Sequence, residues 1–388
     1  MFSWTWLRDN HSNVRMHPGP RDIETLEDME DWTVGQYIDL VHPPVVDERK
    51  PKKNTLPYPI LYGKDMPVPT TWRTYINRRI NPSVSYKTGD DILGEIPKSV
   101  QIDTNMMYIG YHGTQTPTHC DRMSTFGQNL IVYSDVPCDT SCVWFIASSS
   151  DSHKVEHYFP QCNQDACLHD DNFFASIDCL SRAPYDVFVI NQKEGDLVLI
   201  PPRGAHQAIN RGPGISIKFA WSRLPVYHVQ HVYEQVMPLY REVGRSEVYR
   251  ILASCWFGLC NRIKDFDEVQ SALDKDKLIS EIKILRRVIQ SNMNKERVVD
   301  DCTIHQFDDD VAFTRYCDLC NADIFNRCLH RVQQADEEDV CLDCAIQNEL
   351  INVKDYQVYE TIPRKEMVRI IERADDVLRQ LNDRIIDS

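Results

Sequence analysis

Two hydrophobic rhythms divide this chain. In the first, short apolar runs stand between turn residues: Val132-Tyr133, Trp144-Phe145-Ile146, Val187-Phe188-Val189-Ile190 and Leu197-Val198-Leu199-Ile200. Pro201-Pro202 ends the last of these, a Gly204 turn leads into a strand over 207–210, and Gly212-Pro213-Gly214 turns the chain back into Ile215 to Trp221. Short strands at such close spacing predict a jelly roll or cupin barrel, whose interior holds a small ligand. Ahead of them, Trp32, Gln36, Tyr37 and Leu40 fall at helical spacing, and Pro43-Pro44 ends that helix. Residues 1–30 carry mixed polar and charged text and are expected to form an extended arm. After Trp221 the period becomes helical: Leu278, Ile279, Ile282, Leu285, Val288 and Ile289 recur at three- and four-residue steps, as do Met367, Ile371, Ala374, Val377 and Leu381. The expected class is α+β: arm (1–30), barrel domain (31–227), helical region (228–300), cysteine-rich module (301–350) and C-terminal helix (351–388).

Candidate chemistry sits inside this frame. If Thr118-His119-Cys120-Asp121 is strand-like, His119 and Asp121 point to one face, because side chains alternate with period two. His206 opens the strand after Gly204. Two histidines and a carboxylate on one face of an octahedron leave positions for a cosubstrate and dioxygen, the arrangement of non-haem Fe(II) oxygenases. A bare H-x-D triplet has little diagnostic value, and the surrounding strands give it weight. Cys317-x-x-Cys320 and Cys341-x-x-Cys344, about 20 residues apart, match a tetrahedral structural zinc. Cys302, His305, Cys328 and His330 are candidates for a second zinc. The insert between the metal segments, Ser148 to Ser152 and Asp165 to Asp171, reads as loop, and its Cys162, Cys167, His153, His157 and His169 read as structural.

Composition narrows the setting. The 388 residues are 42% hydrophobic, enough for two or three domains with real cores. No segment approaches the roughly 20 apolar residues of a membrane span. A net charge of −15 disfavours broad phosphate-backbone binding and suits a basic partner. Of the 14 cysteines, six lie between Cys302 and Cys344, which suggests a reducing compartment. Arg49-Lys50-Pro51-Lys52-Lys53 reads as a nuclear import signal or a solvated loop cluster.

At Tyr108-Ile109-Gly110, Gly113 to Asp121, Gly127-Gln128-Asn129 and Gly195 to Asn210, with the lead-in Leu61 to Pro69, the chain resembles the JmjC family of Fe(II)- and 2-oxoglutarate-dependent oxygenases. The likeness is strongest to histone lysine demethylase-like members of fungal type that carry a C-terminal cysteine module, and it covers residues 30 to 225, roughly half the chain. It implies a double-stranded β-helix holding Fe(II) through His119, Asp121 and His206, with 2-oxoglutarate contacted by Thr116 and Asn129. One departure stands out: where many relatives place a lysine against the far carboxylate of 2-oxoglutarate, this chain has Cys142. Lys218, Lys154 and Lys193 are the alternative cations, Lys218 being preferred because it lies on the strand returning from His206. The resemblance implies removal of methyl groups from histone lysine in the nucleus, with the zinc module docking a chromatin-associated protein; membrane and direct DNA binding are not expected. A protein side-chain hydroxylase and an inactive JmjC scaffold stay open as alternatives.

Overall fold

The structure is a computed structural model that describes residues 2–42, 59–87, 90–137, 139–168, 171–264, 266, 272–307, 313–333, 336–351 and 353–386. The basic run 49–53 and His169 lie outside the described residues. The chain divides into two compact units, residues 1–86 with 103–223, and residues 87–102 with 224–388.

The first unit is a sandwich of two antiparallel sheets. The larger takes β1 (Arg21–Asp22), β2 (Leu61–Pro67), β3 (Met106–Tyr111), β10 (Ile215–Arg223), β5 (Phe126–Ser134) and β8 (Leu197–Ile200) in that order. The smaller takes β4 (Gln115–His119), β9 (His206–Arg211), β6 (Ser141–Ala147) and β7 (Val187–Gln192). Period-two alternation separates the two faces of β10. Ile215, Ile217, Phe219 and Trp221 join a core with α1 (Trp4–His11), α2 (Val34–Val41) and α3 (Thr70–Asn77), so the intervening Lys218 lies on the opposite face, toward the smaller sheet. Ile131, Val198 and Ile200 from the large sheet meet Cys142, Trp144, Ile146 and Ala208 from the small one in the barrel interior.

The N-terminal residues are not an extended arm. Ser3 caps α1 by accepting a hydrogen bond from the Trp6 N–H, and Leu7 and Met16 are fully buried in the helix-facing core. Phe2 and Trp6 pack on Trp72 at 5.1 and 5.2 Å between ring centroids. The mixed text hid an apolar face carried by four large side chains. The Thr33 hydroxyl and Gln36 side chain complete a capping box that starts α2. The insert is also more ordered than a loop: α4 (Ser152–Cys162) and α5 (Ile177–Ser181) bury Val155, Phe159 and Cys179 against Ala205. Cys162 and Cys179 form a disulfide that joins α4 to α5.

The second unit begins with helices α6 (Val226–His231), α7 (Met237–Glu242), α8 (Ile251–Lys264) and α9 (Ala272–Lys295). A four-stranded sheet follows, ordered β11 (Ile304–Gln306), β14 (Gln357–Glu360), β12 (Cys328–Gln333) and β13 (Asp336–Cys341). α10 (Leu342–Gln347) continues from β13, and α11 (Arg364–Ile386) ends the unit. The segment from 351 onward therefore adds a strand, β14, to the cysteine module before it becomes the expected helix. Glu95 reaches Arg262 within this unit at 2.9 Å, which explains why residues 87–102 belong to it.

Candidate functional site

The antiparallel ladder of β4 and β9 places His119 directly opposite His206. Their rings stand 4.2 Å apart, centroid to centroid. Asp121 lies just past the end of β4, where its backbone stays extended (φ −53°, ψ 143°), so the alternation expected from the sequence still brings its carboxylate to the histidines. Ligand atoms of His119, Asp121 and His206 all lie within 4.8 Å of one another.

The surroundings of these side chains suit a metal. His119 Nδ1 lies 2.8 Å from the Pro117 carbonyl and His206 Nδ1 2.9 Å from the Gly204 carbonyl. Each carbonyl accepts the Nδ1 proton, which leaves Nε2 with its lone pair as the ligand atom. Burial pushes the His206 pKa down to about 3, with help from His119, so the ring is neutral at pH 7 as a ligand must be. Asp121 Oδ2 is shut off from solvent and has no hydrogen-bond partner among the described residues, and burial raises its pKa to about 6. A buried carboxylate oxygen without a donor is costly, and a cation bound between the three side chains removes that cost. The donor set, two imidazole nitrogens and one carboxylate, is that of Fe(II).

Gly127 supports the carboxylate from β5. A Cβ at this position would overlap Asp121 Oδ2 and approach the Ile200 side chain at 3.2 Å. Gly127→Ala is therefore expected to displace the carboxylate and weaken metal binding by about 10–100-fold, the usual effect of disturbing a ligand's support. Titration of Fe(II) or Mn(II) into the folded variant measures this. No local pattern marks Gly127 for this role, because the close approach comes from the turn at 120–124.

Thr116 pairs with Ala208 and shares its interior-facing side; Asn129 has the same strand parity as Gly127 and Ile131. Both line the barrel interior. Lys218 is 2% exposed and also points inward. Lys154 instead pairs with Asp151 at the surface and Lys193 is exposed, so neither reaches the interior. Tyr62, in the lead-in strand, is buried with its ring centroid 5.9 Å from Lys218 Nζ, a placement its sequence position does not announce.

Cys317, Cys320, Cys341 and Cys344 gather in the second unit, all buried, with sulfurs within 4.8 Å of one another. The Cys341 N–H donates to Cys317 Sγ at 3.3 Å, and hydrogen bonds from Cys320 and Cys341 hold the Cys317 thiol well below its ordinary pKa. Four gathered sulfurs, two of them (Cys317 Sγ and Cys341 Sγ) accepting backbone N–H bonds, fit a closed tetrahedral zinc. The second set of candidates is not brought together among the described residues. His305 stacks on Tyr359, His330 Nδ1 is 2.7 Å from Asp339, and Cys328 is enclosed in the apolar core, where burial raises its pKa well above the ordinary value. Strand pairing sends these side chains to different neighbours despite their closeness in sequence.

A cupin-type barrel with two histidines and one carboxylate at a ladder end defines a metal-binding β-barrel class. Within that class residues 106–221 match the family described as JmjC domain, hydroxylase. It is also 30% identical over 364 residues to C-module-binding factor A of Dictyostelium discoideum, covering 89% of this chain and 35% of that protein. The chain thus spans about a third of the length of this curated relative.

Proposed function

We propose that the protein is an Fe(II)- and 2-oxoglutarate-dependent oxygenase that removes methyl groups from lysine in a basic protein tail, with a histone tail in the nucleus as the substrate. The observation that carries this reading is the convergence of His119, Asp121 and His206 inside a JmjC domain. Iron bound there, with 2-oxoglutarate and dioxygen, supplies oxidation of a C–H bond coupled to decarboxylation of the 2-oxo acid. The chain's own residues hold and orient: the carbonyls of Pro117 and Gly204 set the two imidazole tautomers, and Gly127 leaves space for the Asp121 carboxylate. Thr116 and Asn129 line the interior with groups that hydrogen bond a carboxylate. Hydroxylation of an N-methyl carbon gives a hemiaminal, which releases formaldehyde and leaves the amine.

Charge favours a cationic substrate. The whole chain carries −15, and Asp171 of the insert lies close enough to Asp121 to raise its pKa further. The Phe173 carbonyl accepts the Thr118 N–H at 2.9 Å, and Ala175 exchanges hydrogen bonds with the Gln207 side chain, so the insert is tied to both metal-bearing strands. The cysteine module is proposed to dock a chromatin-associated partner.

The test is mass spectrometry of a methylated histone-peptide panel incubated with protein, Fe(II), 2-oxoglutarate and ascorbate, with Asp121→Ala as control. Loss of 14 Da per methyl group (about that mass for each CH₂ removed), dependent on the triad, supports demethylation. Gain of a stable oxygen makes the protein a side-chain hydroxylase, and no change together with no metal or 2-oxoglutarate binding makes it a scaffold.

A further inference from the structure

We propose that the Cys162–Cys179 disulfide is a thiol-exchange site, opened by a small thiol that enters a cavity on the insert, and that its opening loosens the insert's hold on the two strands carrying the metal centre.

The insert grips the chain on both sides of each histidine ligand. Thr118 donates its N–H to the Phe173 carbonyl at 2.9 Å, and the Gln207 side chain bonds the N–H and the carbonyl of Ala175 at 2.9 and 2.8 Å. Cys120 and Ala205 pack in the insert's core with Val155, Phe159, Ala175 and Cys179. Residues 118, 120, 205 and 207 are the chain neighbours of His119 and His206, so the place of the segment 173–175 bears on both imidazoles.

That segment is anchored through the disulfide. It runs directly into α5, a helix of five residues and too short to persist without tertiary contacts. The disulfide ties α5 to Cys162, the last residue of α4, and the Tyr158 hydroxyl donates to the Cys179 carbonyl at 2.9 Å. Pro160 removes a backbone donor from the last turn of α4, so the helix by itself holds Cys162 weakly. A covalent link across a sequence separation of 17 restricts both helix ends.

The two cysteines differ in access. Both line a surface cavity of about 530 Å³, together with Tyr158, Gln161, Phe173 and Arg182. Cys179 is 6% exposed, whereas Cys162 is half-buried. A disulfide reached from solvent is of the labile, exchanging kind. An incoming thiolate attacks Cys162 Sγ, the S–S bond breaks, and its electron pair leaves on Cys179 Sγ, which takes a proton. A second thiolate attacks the small thiol's sulfur in the mixed disulfide and releases Cys162, which is protonated in turn. Two small thiols are thereby oxidised to their disulfide while Cys162 and Cys179 are reduced.

The test uses the full chain, purified without reductant, treated with reduced glutathione, alkylated and mapped by mass spectrometry. A glutathione adduct on Cys162 and then alkylation of Cys162 and Cys179 are expected, while the fully buried Cys255 stays unlabelled. Amide hydrogen exchange at Thr118 and Ala175 is expected to quicken by about 10-fold in the reduced form, zinc content being measured in both forms. Mn(II) affinity is expected to fall by about 10-fold, as when the support of a metal ligand is disturbed. Cys162→Ser/Cys179→Ser reproduces the open form with no thiol added, and the reduced wild-type chain carries the comparison if that variant does not fold. Free thiols at 162 and 179 before treatment, a disulfide that glutathione leaves intact, or an opening that leaves exchange or Mn(II) affinity unchanged overturns the proposal. An oxidised wild-type chain that binds no Mn(II) overturns the metal-centre reading, and hydrogen exchange, read without metal, then decides this proposal by itself.

Discussion

His206→Ala and Asp121→Ala are each expected to abolish tight Fe(II) binding and, on the proposed oxygenase function, 2-oxoglutarate turnover with it. Removing a neighbour that only orients a metal ligand costs about 10–100-fold in affinity, so losing one of three protein ligands exceeds that range. The two variants differ in their effect on the protein without metal. Asp121→Ala deletes a buried carboxylate whose Oδ2 has no donor among the described residues, so the apo protein is expected to keep or gain thermal stability. His206→Ala removes a ring that is 3% exposed and packs beside Trp144, with centroids 5.9 Å apart, and lowers apo stability. Calorimetric metal titration and melting of the apo forms check both statements. Undiminished Fe(II) binding by folded Asp121→Ala would show that the cluster is not the metal centre.

Loss of zinc from the four-cysteine cluster is the second large effect expected. The core of the cysteine module is built around the ligands themselves: Cys317, Cys320, Cys341 and Cys344 lie among Ala322, Ile324, Leu329 and Val340. Binding of a structural zinc to such thiolates contributes on the order of 10 kcal/mol, comparable to the whole stability of a domain. Cys320→Ser or a strong chelator is therefore expected to reduce bound zinc from one to none per chain and to melt the sheet of β11, β14, β12 and β13. Elemental analysis and hydrogen exchange of β12 and β13 are the measurements. Zinc-free protein with full protection in those strands would mean that the sulfurs pack without metal. Retention of a second zinc in Cys320→Ser would revive the set Cys302, His305, Cys328 and His330, which the strands direct to separate partners.

The metal-centre residues were legible because they depend on local rules. Alternation along β4 and the extended backbone beyond it align His119 with Asp121, and a Gly turn before β9 presents His206. The C-x-x-C pairs were legible because each knuckle is a local unit. Other features were not. Residues 2–16 were too short and mixed in character to show that Leu7 and Met16 are buried. The helical spacing of Val155 and Phe159 was masked by the serine run before it and by Pro160 inside the helix. The disulfide between Cys162 and Cys179 joins two helices whose docking has no sequence signature.

The sequence by itself determined the class of barrel and which three side chains and which four cysteines gather into groups that could hold a metal, since period, turn chemistry and ligand spacing act over a few residues. Only the tertiary structure decided which lysine enters the interior, why residue 127 must be glycine, and that the second group of cysteines and histidines is dispersed. Those outcomes depend on strand register and on approaches between distant segments: a shift of one residue in β10 would send Lys218 to the helix-facing core, and no local pattern encodes the contact of Gly127 with Asp121.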